Sequence, residues 1–597
     1  IGVGPMPYSK NPRSGKPSRN ASPRMRRKAQ VPASSSYTTH AAATFETSPH
    51  RLSILLVVVL AIAIIVFGRL VWVQIIDAHA IEHASDSQRT VTVDVEPRRG
   101  TIYDRNGVVL ATTVDAYNFF CHPHKLQDPE QIDRLVSTLV QVCGGNASEY
   151  REKIEQDTNF VYLFKGADEK QLEAVKDLGI DGFDYEKTNK RIYPCGSIAS
   201  QLIGVVNNEG QPISGLELYY NDILGGTPGK KTTMYSKEGV PVPGATKIEA
   251  EVVNGQDIVI SIDVELQERV EKAVVKRTDE VGGKTGFGAV MNAETGEMLA
   301  CASAPTFDIT DLSSVKEGAT NLSGISLHYE PGSVFKPIAM LAALEEGTVE
   351  PDKSYFCPAV LEVGDHKITD SHERPDEDMT ATTIMADSSN IGMSLIAKEL
   401  TFSKFYEYLQ KYRIVEDTKI DYPGAVNGYL APRDKWTEVQ GYNISFGQGV
   451  EMSPIQIMRF YGMLANNGTI AQPHFLIDVP SKSEELEYPT EKIVDNDSAI
   501  DKLDGMLEAV VEKGTGTQAQ IEGYRVAGKT GTAEIASPNG GYKKDAYNIS
   551  FVGYLPDAST KLVCFVGANE VPGERKTVPA FQDIMEFAID RYNITQD

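Results

Sequence analysis

The chain has little tryptophan, cysteine or histidine, with two, six and ten residues of these types among 597. The six cysteines show neither a disulfide framework nor the close pairing of a zinc site, and a chain of this size does not need covalent cross-links. We therefore expect buried free thiols, with disulfides as the alternative. The histidines include no His-Glu-x-x-His pair, and His122-Pro-His124 alone is typical of an ordinary loop. The composition predicts no metal and no cofactor.

Long apolar runs are scarce as well, and the main one is the uncharged stretch 52–68. At about 1.5 Å per residue this stretch extends about 25 Å, and apolar residues up to 76 complete a span of about 30 Å. Ala78-His-Ala80 resembles a signal-peptide cleavage site. However, the apolar run exceeds the roughly 7–15 residues of a signal peptide. We predict one uncleaved transmembrane anchor over 52–76.

Positive charge is concentrated at the N-terminus of an otherwise acidic chain, whose net charge is −24. Residues 1–51 carry nine Lys or Arg and one acid, Glu46. This distribution predicts a cytoplasmic N-terminus and an extracytoplasmic body. The tail is rich in Pro, Ser and Ala, and we expect it to be disordered, beginning at a partial or mis-started N-terminus because its first residue is Ile1. The acidic body argues against nucleic acid as a partner.

Beyond the anchor the sequence divides into two regions. Residues 85–250 mix short strands, helices and glycine turns, which predicts an α+β domain. Residues 255–597 begin and end with strand patterns and have a helical middle, which predicts an α/β domain with an antiparallel sheet covered by helices and a helical subdomain. The segments with strand periodicity are 255–263, 287–291, 298–302, 547–554 and 561–567. The segments with helical periodicity are 267–278, 333–346, 382–399 and 453–466.

Three short motifs follow one another in the second region. They are Ser333-Val-Phe-Lys336, Ser388-Ser-Asn390 and Lys529-Thr-Gly-Thr532. Together they supply a nucleophilic hydroxyl, two candidate proton carriers and a cationic strand edge that can hold a carboxylate. These groups suit acyl transfer through a covalent serine ester.

Each motif has a second match in the chain: Ser313-Ser-Val-Lys316, Ser18-Arg-Asn20 and Lys284-Thr-Gly286. The context favours the ordered trio. Ser333 lies at a predicted loop-to-helix junction, where free N–H groups collect, and Lys336 returns to the same helix face one turn later. In contrast, the other three matches fall in a polar surface turn, in the basic tail and in a glycine-flanked turn, respectively.

The ordered trio is that of penicillin-binding proteins and class A β-lactamases. Four accessory motifs add to the likeness: Arg99-Gly-Thr-Ile-Tyr-Asp-Arg-Asn-Gly107 with Leu110-Ala111, Arg191-Ile-Tyr-Pro194, Gly215-Leu-Glu217, and Ser445-Phe-Gly-Gln-Gly449 with Ser453-Pro454 and Gln456. From residue 50 onward, the chain resembles a class B, monofunctional penicillin-binding protein. It resembles the division and sporulation branch more than the elongation branch.

The resemblance implies a penicillin-binding, serine β-lactamase-like transpeptidase fold over 255–597 and a pedestal, or dimerisation-type, domain over 85–250. It implies a peptidoglycan D,D-transpeptidase of division or sporulation, with stem peptides and β-lactams as ligands. By the same resemblance, a membrane glycan polymerase and division proteins are partners. The alternatives are a β-lactamase, a β-lactam-binding sensor and a non-catalytic membrane scaffold. The lack of an evident deacylating base, the single span and the intact trio, respectively, argue against them.

The resemblance also implies roles for the first two motifs. Ser333 is the nucleophile, and Lys336 is its base if burial and a neighbouring cation lower the lysine's pKa. Ser388 relays a proton to the leaving amine. Asn390 orients Lys336 and a substrate amide.

The third motif, Lys529-Thr530-Gly531-Thr532, is implied to bind the substrate carboxylate, chiefly through Lys529, Thr530 and Thr532. The backbone N–H groups of Ser333 and Thr532 are then the oxyanion hole. For the charged residues of the first region we expect an ion-pair network that fixes the domain geometry, with a direct catalytic role as the alternative. These residues are Arg98, Arg99, Asp104, Arg105 and Glu217.

Overall fold

The computed structural model describes residues 49–73, 90–207, 209–235, 241–483, 485–537, 541–573 and 575–595. The chain divides after residue 88 into two units, which are described separately. Residues 1–48 of the predicted tail, including the match at Ser18, lie outside the described residues. The same holds for residues 74–76 at the end of the predicted anchor.

The first unit contains the helix Pro49–Val71. Its segment Ser53–Val71 has a mean hydropathy of 3.1, and none of it is buried. An apolar helix of this length, exposed on all sides, is the form that a membrane-spanning segment takes. The helix is therefore long and apolar enough to be the single anchor that the sequence predicts, although it begins three residues earlier.

The pedestal domain is built on the long strand Val109–Cys121, which pairs antiparallel with Val161–Ala167 on one side and Phe183–Ile192 on the other. Apolar side chains from this sheet and its helices, such as Phe119 and Leu135, form a separate core. The helices that cover the sheet are Pro129–Cys143, Ala147–Ile154 and Glu169–Lys176. The α+β composition predicted for this region is confirmed.

The pedestal sheet continues into the second domain. Ile102–Tyr103 pairs antiparallel with Val109–Cys121 and parallel with Ile258–Ile260, which in turn pairs with Leu476–Asp478. The two domains therefore share one six-stranded sheet. A second pedestal sheet has three strands: Thr90–Val95, Gly229–Tyr235 and Pro241–Ala250.

The charged pedestal residues form polar contacts around this junction, and the two acids among them are buried. The Glu217 carboxylate is fully buried, pairs with the Arg99 guanidinium, and accepts a hydrogen bond from Arg191 Nε at 2.7 Å. Asp104 accepts hydrogen bonds from the N–H groups of Asn106, Val108 and Val264. Arg105 pairs with Glu297 at 3.1 Å, whereas Arg98 lies on the surface beside Asp115. These contacts favour the structural reading of the network.

A five-stranded antiparallel sheet forms the centre of the second domain. In spatial order its strands are Met298–Ala304, Thr285–Asn292, Leu562–Val571, Tyr542–Tyr554 and Ala527–Ala536. The first two form the hairpin predicted from Glu294-Thr-Gly296, where Gly296 has a φ of +85°. The predicted antiparallel sheet is thus confirmed. The predicted strand 255–263 is the exception, because it is shortened to Ile258–Ile260 and belongs to the six-stranded sheet.

Both faces of this sheet carry apolar side chains. Successive side chains of a strand point to opposite faces, so each strand contributes to the cores on both sides. Val552 and Phe565 belong to the core under one face, whereas Phe551 and Cys564 belong to the core under the other. The second core is closed by the helices Val264–Val281 and Val578–Tyr592. The first core is shared with the helical subdomain.

The helical subdomain lies between the early and late strands of the sheet. Its helices are Lys336–Glu345, Ala381–Ala386, Asn390–Leu400, Phe402–Lys411, Glu438–Ser445, Pro454–Ala465 and Asp497–Glu512. The single helix predicted over 382–399 is wrong, because the chain turns at Ser388, whose φ is +60°. Periodicity did not reveal this break, since the apolar pattern continues on both sides of it.

The remaining described elements are short. Four two-stranded pairs are Ser354–Cys357 with Glu377–Thr380, Leu361–Val363 with His366–Ile368, Tyr429–Leu430 with Val450–Glu451, and Thr469–Ala471 with Thr490–Lys492. Short α-helices are Ser200–Ile203, Gly215–Tyr219, Asn221–Leu224 and Ser323–Ser326. Turns of 3₁₀ helix are Leu312–Ser314, Gly332–Phe335, Arg433–Lys435 and Thr517–Ala519. All six cysteines are free thiols.

Candidate active site

Ser333 lies in the 3₁₀ turn Gly332–Phe335, directly before the helix Lys336–Glu345. The helix is buried on all sides from Lys336 to Leu344, so its first residue carries an amine into the interior. Gly332 has a φ of +61°, a conformation that glycine adopts without strain. The turn therefore holds the Ser333 hydroxyl at the partly exposed end of a rigid, buried helix, as the loop-to-helix context predicts.

Ser388 occupies the turn between the helices Ala381–Ala386 and Asn390–Leu400. Its left-handed backbone is costly for a residue with a Cβ, by about 1–2 kcal/mol. The flanking N–H groups close the preceding helix, with Ser389 N donating to Ile384 O at 2.9 Å. This turn brings the Ser388 side chain to the buried end of Lys336.

Two buried lysines meet at the Ser388 hydroxyl. Lys336 Nζ donates to Ser388 Oγ at 3.0 Å and to the Ser388 carbonyl oxygen at 2.5 Å. Lys529 Nζ donates to the same Oγ at 2.9 Å. Both lysines are fully buried. Residues from three distant parts of the sequence thus form one continuous hydrogen-bonded chain of proton carriers.

Burial decides the charge state of these amines. It lowers the pKa of Lys336 to about 7, against an opposing effect of the Asp370 carboxylate. Burial also holds the pKa of Lys529 well below its usual range, and the nearby cations Lys336 and Lys576 add to that effect. Two positive charges bridged by one hydroxyl repel each other. At least one of the two amines is therefore expected to be neutral near neutral pH.

The strand Ala527–Ala536 forms the edge of the central sheet and carries the third motif. A Cβ at Gly531 would lie 2.4 Å from Ser550 Oγ and 3.0 Å from Val334 Cγ1, so only glycine lets the strand approach the Ser333 turn this closely. A Cβ at Gly332 would lie 2.7 Å from the Thr532 carbonyl oxygen. The structure therefore brings the turn containing Ser333 against Thr532.

A second hydroxyl pair extends this edge. Thr530 Oγ1 lies 2.6 Å from Thr515 Oγ1 and 3.5 Å from Lys529 Nζ. Lys576 donates to the Thr515 carbonyl oxygen at 2.8 Å. The sequence reading missed Thr515 and Lys576 because neither belongs to a motif. Together these residues form an edge lined by hydroxyl and amine groups, which can donate hydrogen bonds to a carboxylate.

Asn390 is placed differently from what the resemblance implied. Its side-chain Nδ2 donates to the Thr369 carbonyl oxygen at 3.0 Å, whereas the contacts described for Lys336 are to Ser388. The N-terminus of the Asn390 helix is instead held by Asp370, whose carboxylate accepts from Asn390 N at 2.5 Å. Asp370 lies in a polar stretch without a recognisable motif, so no sequence signal pointed to it.

The accessory segment Ser445-Phe-Gly-Gln-Gly449 packs behind the Ser333 turn. Gly447 O accepts from Gly332 N at 3.0 Å, and Gly449 N donates to Glu330 Oε1 at 2.8 Å. A Cβ at Gly447 would lie 2.1 Å from the Gly332 carbonyl oxygen, and its φ is +86°. This close backbone contact supports the turn from behind and explains the glycines of the segment.

The two described alternative matches lie away from this site. Ser313 is exposed and donates to Asp311 Oδ1 at 2.6 Å, which confirms the predicted capped surface turn. Lys284 is exposed beside Glu570. The other two residues of its motif, Thr285 and Gly286, belong to the strand Thr285–Asn292 and not to a turn. Among the described residues, no group of three or more His, Cys, Asp or Glu is arranged to hold a metal.

Comparison with known families agrees with this geometry. The sequence profile described as the penicillin-binding protein transpeptidase domain matches residues 286–586, and the penicillin-binding protein dimerisation domain matches residues 94–260. The chain belongs to the penicillin-binding protein transpeptidase family. Its two domains are those of a class B penicillin-binding protein of the division and sporulation type.

Relatives of this family extend over most of the chain. The peptidoglycan D,D-transpeptidase FtsI of Buchnera aphidicola is 28% identical over 557 residues, covering 90% of this chain and 94% of that protein. Stage V sporulation protein D of Bacillus subtilis is 27% identical over 530 residues, covering 88% and 82%, respectively. The solved structure of penicillin-binding protein 3 of Mycobacterium tuberculosis in complex with aztreonam is 25% identical, with a TM-score of 0.67, covering 85% of this chain and 98% of that one.

Proposed function

We propose that the protein is a peptidoglycan D,D-transpeptidase that forms its acyl-enzyme at Ser333. The observation that carries the proposal is the pair of buried lysines sharing the Ser388 hydroxyl beside the nucleophile turn. A serine hydroxyl needs a neighbouring base, and an amine whose pKa is lowered to about 7 can supply one at neutral pH. The relatives named D,D-transpeptidases support the same reaction.

In acylation, Ser333 Oγ attacks the carbonyl of the peptide bond that joins two D-alanine residues of a stem peptide. The Oγ proton passes to neutral Lys336. As the C–N bond breaks, a proton passes through the Ser388 hydroxyl to the leaving D-alanine amine. An amine of a second stem peptide then attacks the Ser333 ester, forms the cross-link, and returns a proton to Oγ.

The third motif binds the substrate in this proposal. Lys529, Thr530 and Thr532 hold the terminal carboxylate of the stem peptide, with Gly531 allowing close approach. The backbone N–H groups of Ser333 and Thr532 stabilise the oxyanion, each contributing about 3–4 kcal/mol. Asn390 contributes a side chain near the substrate instead of a contact to Lys336. A β-lactam, with its own carboxylate and strained amide, would acylate Ser333 by the same route, as the aztreonam complex of a relative supports.

The location of the reaction is part of the proposal. The anchor helix and its basic N-terminal flank support a single-pass protein with its N-terminus in the cytoplasm and its catalytic domain outside. There the substrate strands would come from a membrane glycan polymerase, which we propose as a partner together with division proteins. Fusion of a reporter enzyme to either end of the chain tests this orientation.

Labelling with a fluorescent penicillin tests the nucleophile. The full-length protein in detergent should form a long-lived adduct, and Ser333→Ala should abolish it. Ser313→Ala is the matched control, because it removes the serine of the second S-x-x-K match, and it should label as the wild type does. An adduct that turns over within seconds would favour a β-lactamase, and loss of labelling only in Ser313→Ala would refute the assignment.

A further inference from the structure

Asp370 makes an unusual number of contacts at the edge of the site. Its carboxylate accepts hydrogen bonds from Ser389 Oγ at 2.9 Å, Asn390 N at 2.5 Å and Ile391 N at 3.1 Å. These donors are two N–H groups and one hydroxyl at the start of the helix that follows Ser388. A carboxylate in this position satisfies N–H groups that the helix cannot pair and lies at the positive end of its dipole.

Arg374 fixes the carboxylate in turn. Arg374 Nε donates to Asp370 Oδ2 at 2.7 Å, and Arg374 Nη1 donates to the Cys357 carbonyl oxygen at 2.9 Å. The side chains of Arg374 and Asp370 are only 15% and 10% exposed, respectively. The pair therefore ties the loop 369–376 to the strand Ser354–Cys357 and presents a fixed anion to the Ser388 turn.

We propose that Asp370 is a positioning residue, which holds the Ser388-Ser-Asn390 turn so that the Ser388 hydroxyl bridges the two lysines. The inference rests on the proposed transpeptidase function. The Ser388 backbone is in the left-handed region, which a serine does not prefer by itself. Contacts on both sides must hold it there, and Asp370 supplies those on its C-terminal side.

The charge of Asp370 has a second effect, on Lys336. The carboxylate stabilises the protonated amine and so opposes the lowering of the Lys336 pKa by burial. The charged or titratable groups around the pair are Arg374, Glu377, Asp387 and Cys357 near Asp370, and Lys529 and Lys576 beyond Lys336. Loss of the carboxylate charge should lower the Lys336 pKa further. Loss of the Arg374 charge should raise it.

The test is the pH dependence of acylation by a fluorescent penicillin in two variants. Asp370→Asn should reduce the maximal acylation rate about 10–100-fold, because the turn is displaced. It should also move the acidic limb of the profile of rate against pH, where the rate falls as Lys336 is protonated, to lower pH. Arg374→Gln should also reduce the maximal rate but should move the acidic limb to higher pH. Opposite shifts would support the proposal, because simple structural damage does not predict them.

Asp421→Asn is the matched control. Asp421 is also a buried carboxylate that accepts from two backbone N–H groups, those of Phe475 and Leu476, and from a side chain, the Tyr220 hydroxyl. Its substitution should leave the acidic limb unchanged. Thermal unfolding of each variant shows whether it is folded.

Two results would overturn the inference: Asp370→Asn acylating within threefold of the wild type, or a lower rate with no shift of the acidic limb in either variant. If Asp370→Asn does not fold, the test relies on Arg374→Gln alone. An acidic limb that does not shift in Arg374→Gln then counts against the inference. Failure of the proposed function would look different. In that case the wild type would not label, or Ser333→Ala would still label.

Discussion

Removal of the Ser388 hydroxyl should disable acylation while leaving the fold in place. In Ser388→Ala, Lys336 keeps its hydrogen bond to the Ser388 carbonyl oxygen at 2.5 Å, and Lys529 keeps one to the Thr530 carbonyl oxygen at 3.3 Å. Each amine therefore retains an acceptor, and the backbone of the turn is unchanged. What is lost is the only atom described as accepting from both amines, and with it the path for the proton between them.

The size of the effect follows from that path. Proton transfer by a positioned side chain contributes about 10²–10⁴-fold to a rate. This range corresponds to about 3–5 kcal/mol of activation free energy. Loss of one acceptor for two buried amines should lower the free energy of unfolding by only about 1–3 kcal/mol. The acylation rate constant should therefore fall by at least about a hundredfold in a protein that is still folded.

The assay is stopped-flow acylation of the full-length protein by a fluorescent penicillin, with urea unfolding to measure stability. Ser394→Ala is the control, because Ser394 is a buried serine in the adjacent helix whose hydroxyl donates to Asn390 O at 2.8 Å. It should cost some stability but little acylation. If Ser388→Ala acylates within threefold of the wild type, the shared hydroxyl is not a proton relay and the reasoning is wrong.

Three further predictions concern other parts of the molecule. Because burial lowers the pKa of Lys336 to about 7, neutral amine accumulates as the pH rises through that value. The acylation rate should therefore rise through that pH and level off above it. A rate that does not change between about pH 5 and pH 9 would contradict the role of the amine. Gly531→Ala places a Cβ 2.4 Å from Ser550 Oγ. It should lower the free energy of unfolding, measured in urea, by about 1–3 kcal/mol and should slow acylation. Unchanged stability and acylation would show that the strand can move to accommodate the Cβ. Glu217→Gln leaves buried guanidinium groups such as that of Arg191 without a counter-charge and should cost about 3–5 kcal/mol of unfolding free energy. Acylation by the folded fraction of Glu217→Gln should stay unchanged, and a lower rate at full stability would favour a catalytic role.

The positions of the candidate motifs were predictable because their spacing is local. Ser333 and Lys336 are one helical turn apart, and the spacing alone predicts that they share a face. That Lys529 lies beside the site was implied only by the family resemblance, because no strand periodicity was recognised around it. The exposed match at Ser313 was also distinguishable, because a polar turn with an aspartate two residues earlier is typical of a surface cap.

The supporting residues were not predictable in the same way. Asp370 acts across a separation of about twenty residues, and nothing in its surroundings distinguishes it from other acids in a polar stretch. The helix break at Ser388 was missed because the apolar pattern continues through it. Asn390 was expected to contact Lys336, yet its backbone and side chain are held by the 369–376 loop, an arrangement set by tertiary packing.

Sequence by itself determined the long apolar helix, the order of the two domains, the antiparallel sheet and the three motifs, because each depends on local composition or on periodicity of side chains. Only the tertiary structure decided that two lysines separated by almost two hundred residues share one hydroxyl, and that a carboxylate from a third segment holds the turn that carries it. The physical reason is that the charge state of a buried amine depends on its burial and on the charges around it. Those surroundings come from residues that are distant in the chain and become neighbours only when it folds.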